Sequence, residues 1–477
     1  MIKPRRTRRP GLLAALCLAQ VLLVPSDSAR AVPLTGEDNE RHSVNLDGSF
    51  KSFFYVLGFP HYGADLLTGM GIPEGRGGIA IADLRLKLEG EHHERWRWGF
   101  HLRTQPQLSS FAGAMTAMSF AGGARPARSL PLQWVSPEDD KLLWAHEVDR
   151  LFFQVRLGKA TLIVGRQPVS FGVGFIWMPA DLVGTFSPVE LDQEYKPGVD
   201  ALRLNVALGR FGELALVAAF GGPSCLRRSV PGFGTRRQLP DGGRCEQYEP
   251  QFSLHHSVLV SRARLSFGAW DLGMVAGYVR GDLVAGAFVT GTVKKLRLRG
   301  EVVYTWDMEE DLPDLAGLVY AGIGNAEGKG THFARAVLGG DYRFDLKRPI
   351  TLLAELYYNG FGRLHPRDYL SLAGRPRVGE FGEVFNLGLL YAGVGATFEP
   401  HERVDVSITV MGNLLDPSLL FNLGLVWKVG NEMVLAAGAL IPFGKGPVLD
   451  GATLTLRARS ELGVYPYLGY LQWKVYF

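Results

Sequence analysis

Residues Asp83-Leu84-Arg85-Leu86-Lys87-Leu88-Glu89 alternate charge and leucine, so an extended backbone gives them one ionic face and one apolar face. Arg95-Trp96-Arg97-Trp98-Gly99-Phe100-His101-Leu102-Arg103 repeats the pattern with aromatics. Leu296-Arg297-Leu298-Arg299, Val404 to Val410 and Phe421 to Val429 repeat it again. No stretch after the N-terminal segment reaches the ~18 consecutive apolar residues of a membrane-spanning helix. Period two also suits a soluble antiparallel sheet with one face on a core.

Connection lengths decide between the two. Short turns fall near 91–94, 158–160, 209–212, 268–270, 294–295, 345–349, 399–402 and 430–432. Longer segments, 58–76, 107–145, 172–197, 221–252, 307–330, 361–383 and 441–464, usually separate the hairpins. Two connections on the long side, near 281–283 and 414–417, are short. Short turns at one end and long loops at the other are the pattern of a transmembrane barrel. The expectation is an all-β, closed antiparallel barrel of about 18 strands, from 43–57 to 465–477, with 16 the alternative. Among these, 160–171 and 385–398 are read as strands, and 450–460 as room for an extra β segment. Lipid offers no hydrogen bonds, so such a sheet must close on itself, and one this large encloses an aqueous lumen. The 60 glycines and 11% aromatics suit many turns and interfacial girdles. A net charge of +4 is too small to argue for nucleic acid, and none is expected as a partner.

The first 31 residues read as an export signal. Lys3, Arg5, Arg6, Arg8 and Arg9 form a positive n-region, Gly11 to Val24 an apolar core, and Ala29-Arg30-Ala31 a small-x-small cleavage site. The mature chain is then 32–477, beginning near Val32. Its two cysteines, Cys225 and Cys245, share one polar segment and are expected to pair in an oxidising compartment.

The stretch Gly165-Arg166-Gln167-Pro168-Val169-Ser170-Phe171-Gly172 continues through Pro179-Ala180-Asp181, Pro188-Val189-Glu190 and Pro197-Gly198-Val199-Asp200-Ala201-Leu202-Arg203-Leu204. It resembles a signature of uncharacterised proteobacterial outer-membrane barrels, broadly similar to porins and alginate-export-type channels. Those have Trp where this chain has Phe171. Leu415-Asp416-Pro417-Ser418 and Ile441-Pro442-Phe443-Gly444 fit the same resemblance. The alternating last strand, ending in Phe477, resembles the signal read by the barrel-assembly machinery.

With apolar residues toward lipid, the opposite face collects Arg85, Lys87, Arg97, Arg103, Arg156, Arg203, Arg262, Arg264, Arg297, Arg299, Arg335 and Arg343. Lys428 and Lys474 fall there too, with fewer acids: Asp83, Glu89, Glu301, Asp341, Glu355 and Asp405. Excess positive charge in a narrow channel concentrates anions, unless the arginines pair with acids on neighbouring strands. The resemblance to porins implies that the third long loop enters the barrel as a constriction. Its acids Asp181, Glu190, Asp192 and Glu194 would then face the arginine wall.

The function expected is passive diffusion of small hydrophilic solutes with anion preference, in the cell outer membrane. A transporter or exporter of a hydrophobic or polymeric substrate, or a plugged structural barrel, is the competing reading. No catalytic constellation is legible, so neither enzyme activity, cofactor nor metal is expected. His92, His93 and His401 fall in turns, and His255-His256 near the rim lacks a Ser or Asp tied to it. Outer-membrane lipid and lipopolysaccharide are the expected surroundings. A homotrimer is left open, because no seam is legible.

Overall fold

The computed structural model describes residues 32–33, 42–58, 75–110, 126–135, 141–222, 226–230, 233–238, 252–308, 332–369, 372, 375, 377–378, 381–450 and 455–477. The N-terminal segment 1–31 and both mature cysteines, Cys225 and Cys245, lie outside these residues.

Alternation over short segments, punctuated by tight turns, yields 18 barrel strands. The first nine are β1 (His42–Gly58), β2 (Arg76–His92), β3 (Trp96–Ser109), β4 (Leu142–Leu157), β5 (Ala160–Gln167), β6 (Val199–Leu208), β7 (Gly212–Gly221), β8 (Ser253–Phe267) and β9 (Trp270–Val279). The rest are β10 (Asp282–Val293), β11 (Leu296–Trp306), β12 (Phe333–Phe344), β13 (Ile350–Asn359), β14 (Leu390–His401), β15 (Val404–Asn413), β16 (Ser418–Lys428), β17 (Met433–Phe443) and β18 (Tyr467–Tyr476). Each pairs antiparallel with the next, and β18 returns to β1 from Ser49↔Tyr476 to Gly58↔Tyr467. The sheet is therefore closed, and its main-chain donors and acceptors are satisfied within it.

Closure gives the alternation two destinations. Phe54, Val56, Met274, Leu338 and Leu471 stand exposed on the outside. The intervening residues, among them Lys51, Asp83, Arg85, Glu301, Arg335 and Glu355, are buried inside. All the long connections lie at one end. The connections at 280–281 and 414–417 are short at that same end.

The strand ends differ from the sequence expectation where local chemistry intervenes. β5 stops at Gln167, not at 171. Gly165 there takes φ 109°, and Pro168 has no N–H for the ladder. A Cβ at Gly165 would lie 2.2 Å from the Leu151 carbonyl oxygen, so only glycine fits. β14 begins at Leu390, not at 385. Within the last long loop, Val448–Asp450 pairs with Thr455–Arg457 as a small hairpin.

The interior is not empty. Val169, Phe171, Leu182 and Val183 of the segment 168–198 pack against inward Val199, Val217, Val258 and Val275. Trp177 and Val189 of the same segment pack against inward Phe53, Tyr55, Ile79 and Tyr391. Each such buried side chain contributes roughly 1.5–3 kcal/mol. The segment between β5 and β6 is thus held inside the barrel by apolar contact with strands on both sides of it.

Candidate functional site

The inward segment is clamped where it leaves β5 and where it rejoins β6. Arg166 Nε and Nη2 donate to Asp200 at 2.6 and 2.9 Å, and both side chains are buried. The remaining guanidinium donors reach the Val148 and Leu130 carbonyls at 3.0 Å. Gln167 Nε2 donates to the Ala201 carbonyl at 3.1 Å. A Cβ at Gly198 would meet the Asp149 carbonyl oxygen at 2.2 Å, so the returning chain passes too close for any side chain. The stretch from Gly165 to Leu204 therefore has a structural role, satisfying a buried charge with partners distant in sequence.

Between the clamps, two wall carboxylates receive the loop's backbone. Glu301 on β11 accepts from the N–H groups of Val173 (3.1 Å), Gly174 (2.8 Å) and Ala180 (2.9 Å). Glu355 on β13 accepts from Phe175 (2.5 Å), Ile176 (2.7 Å) and Trp177 (3.3 Å). Backbone donors in an irregular segment must find acceptors, and ionised ones bind them most strongly.

Only some of the loop's acids meet the wall. Asp181 turns back into the loop, where it pairs with Lys196 and accepts from the Phe171 N–H at 3.2 Å. Burial pushes its carboxyl up despite Lys196. Asp192 reaches Lys51 of β1 at 2.8 Å and Lys474 of β18 at 3.1 Å. Burial opposes ionisation there, but the two ammonium groups outweigh it and hold the carboxyl low. Glu194 meets Lys51 at 2.8 Å, Lys474 at 3.5 Å and the Tyr476 hydroxyl at 2.8 Å. These partners are lysines and a tyrosine, not the arginines expected. Tyr195 lies under Lys51, Arg85 and Lys87, 4.4–5.1 Å from its ring centre. Burial raises the Glu190 carboxyl to about 7, and among the described residues its Oε2 has no hydrogen-bond partner.

Most of the wall cations are neutralised. Arg85 pairs with Asp149, Lys87 with Asp47, Arg97 with Glu89, and Arg103 with Asp83 and Glu147. Arg156 lies 3.9 Å from Glu94, and Arg264 3.0 Å from Glu213. Arg297 and Arg299 share Asp341, Arg335 takes Glu383, and Arg343 takes Glu399. Arg203 and Arg262 are the exceptions, with no carboxylate within 4.0 Å among the described residues. Arg203 Nε donates to Asn205 at 2.9 Å. The Arg262 guanidinium lies 4.4 Å from the Phe288 ring centre and 5.8 Å from that of Phe171. Both arginines flank β7, opposite Val217 and Ala215.

No family model matches the sequence, and no curated protein matches it. Among solved structures the barrel is similar to Acinetobacter baumannii OccAB1, with a TM-score of 0.50 at 8% identity over 95% of this chain and 99% of that one. Acinetobacter baumannii OccAB4 gives 0.49 at 8% identity, over 92% of this chain and 100% of that one. The outer membrane protein opdK from Pseudomonas aeruginosa gives 0.48 at 8% identity, over 91% and 98%. The likeness is one of fold.

Several residues that organise the lumen escape the sequence reading. Lys51 is one, because Phe50-Lys51-Ser52-Phe53-Phe54-Tyr55 carries aromatics on both faces and hides the period. Arg128 is another: from the preceding long loop it reaches Glu147 at 2.8 Å, Asp149 at 3.3 Å and the Gly198 carbonyl at 2.8 Å. No local pattern signals a pairing across such separations.

Proposed function

We propose that this chain is a porin-like outer-membrane channel through which small hydrophilic solutes diffuse, with a preference for anions. The observation that carries the reading is the segment 168–198, pinned inside a closed barrel on Glu301 and Glu355, beside a charge-lined wall. Such a segment narrows a pore without sealing it by covalent means, and its surroundings select by charge. Anion preference rests on Arg203 and Arg262, which have no carboxylate within 4.0 Å among the described residues and feel Glu213 only at longer range, and not on the wall cations as a group. Export by a cleaved signal peptide and assembly through the strand ending at Phe477 belong to the same reading. An exporter that opens sideways into lipid fits less well, since the β1–β18 seam is paired along ten residue positions.

The test is planar-bilayer recording of the refolded barrel in a salt gradient. The expected result is steady conductance with a reversal potential of anion-selective sign. Replacing Arg203 and Arg262 together by Gln should move that potential toward zero or beyond. Cation selectivity in the parent removes the anion preference, and a potential unmoved by the double change removes its assignment to these two arginines. Absence of conductance removes the channel.

A further inference from the structure

The short-turn rim beside β1 carries a constellation unrelated to the lumen. His42 and His92 are direct cross-strand partners at the ends of β1 and β2. His93 follows in the turn to β3. In an extended strand consecutive side chains point to opposite faces, so His92 and His93 would normally diverge. Here His93 takes φ 51° and Glu94 φ 53°, two of the four non-glycine residues with positive φ among the described residues. Such a pair of left-handed residues is what a two-residue hairpin turn ordinarily assigns to Asn-Gly. The turn swings the His93 ring back beside its neighbours. Its centre lies 4.3 Å from that of His92 and 5.1 Å from that of His42, edge-on to both.

One nitrogen from each of the three rings can be chosen so that all lie within 4.8 Å of one another. Ligands on one tetrahedral zinc, at about 2.0–2.1 Å from the metal, stand about 3.3 Å apart; the His42 and His92 Nδ1 atoms now touch each other directly, so these rings at the rim must part slightly to admit an ion between them. Among the described residues this is the one group of three or more metal-type donors with such reach. The adjacent charges are directed elsewhere. Glu91 lies on the opposite face of β2, Glu94 faces Arg156 at 3.9 Å, and the Arg95 guanidinium sits 5.9 Å from the Trp96 ring centre. The donor set is therefore three imidazoles, which suits borderline divalent transition ions over calcium or magnesium.

We propose that His42, His92 and His93 bind one divalent transition-metal ion, with Zn2+ as the representative, at the short-turn mouth of the barrel. Three protein ligands leave a position for water, and the ion joins the first strand to the hairpin that follows. The proposal is independent of the channel reading.

The barrel, folded in detergent and purified without a histidine tag, is titrated calorimetrically with ZnCl2. One ion per chain is expected, with dissociation in the micromolar range or tighter. Co2+ in place of Zn2+ should give the intense visible absorption of a four-coordinate site. His93→Asn tolerates the left-handed turn but removes a ligand, and should weaken binding by about tenfold or more. The triple variant H42A/H92A/H93A should lose saturable binding, whereas His401→Ala should leave it intact. Retention of the heat-modifiable band on gels verifies that each variant is folded. Absence of saturable binding in the parent overturns the proposal. So does an isotherm that H93N leaves unchanged.

Discussion

Burial holds the Glu190 carboxyl at about 7, within the range over which channel recordings are made. Its folded value is raised, so the docked loop gains most at low pH and loses that contribution as the pH climbs from about 4.5 through about 7. Below about 7 the group is neutral and one negative charge disappears beside Asp192. The anion-to-cation permeability ratio should therefore rise as the pH falls through that value, and Glu190→Gln should flatten the profile at the high ratio. A pH step that survives in the Gln variant assigns it to another group. Arg166 offers a second residue-level test. Its side chain is 0% exposed and that of Asp200 5%, so Arg166→Ala strands a buried carboxylate. A loss of about 3–5 kcal/mol in unfolding free energy is expected in urea titrations followed by gel shift.

At the scale of elements, the segment 168–198 is fixed by acceptors that belong to other strands. A hydrogen bond of this kind contributes about 0.5–1.5 kcal/mol net, and Glu301 and Glu355 together accept six. Replacing both by Ala should free the segment and raise single-channel conductance, more than either change alone. Glu355→Gln keeps an acceptor and should stay closer to the parent. Unchanged conductance in the double Ala variant would mean that the segment does not limit flow. The strands themselves are legible in the sequence, because period two shows in residues such as Asp83 to Glu89 and because turn lengths sort the two ends. The position of the loop's acids was not. Asp181 finds Lys196 within its own loop, while Asp192 finds Lys51 from a strand 141 positions away. Linear spacing carries no information about such meetings. The same holds for Arg262, which among the described residues has no carboxylate within 4.0 Å and lies against the Phe288 ring of β10.

For the whole molecule, the outward face should behave as a surface solvated by lipid. Leu338, midway along β12, is 67% exposed and points away from the lumen. Leu338→Arg should cost about 2–4 kcal/mol when the barrel is folded into bilayers, as for a cation at the membrane midplane. Arg on the opposite face of the same strand, as at 335 and 343, is native. A Leu338→Arg barrel as stable as the parent would mean that this face does not meet hydrocarbon.

Because the inserted segment leans on glutamates rooted in the cylinder wall, its placement is part of the architecture and not a shutter's resting position. Moving it aside would strip partners from six amides at once.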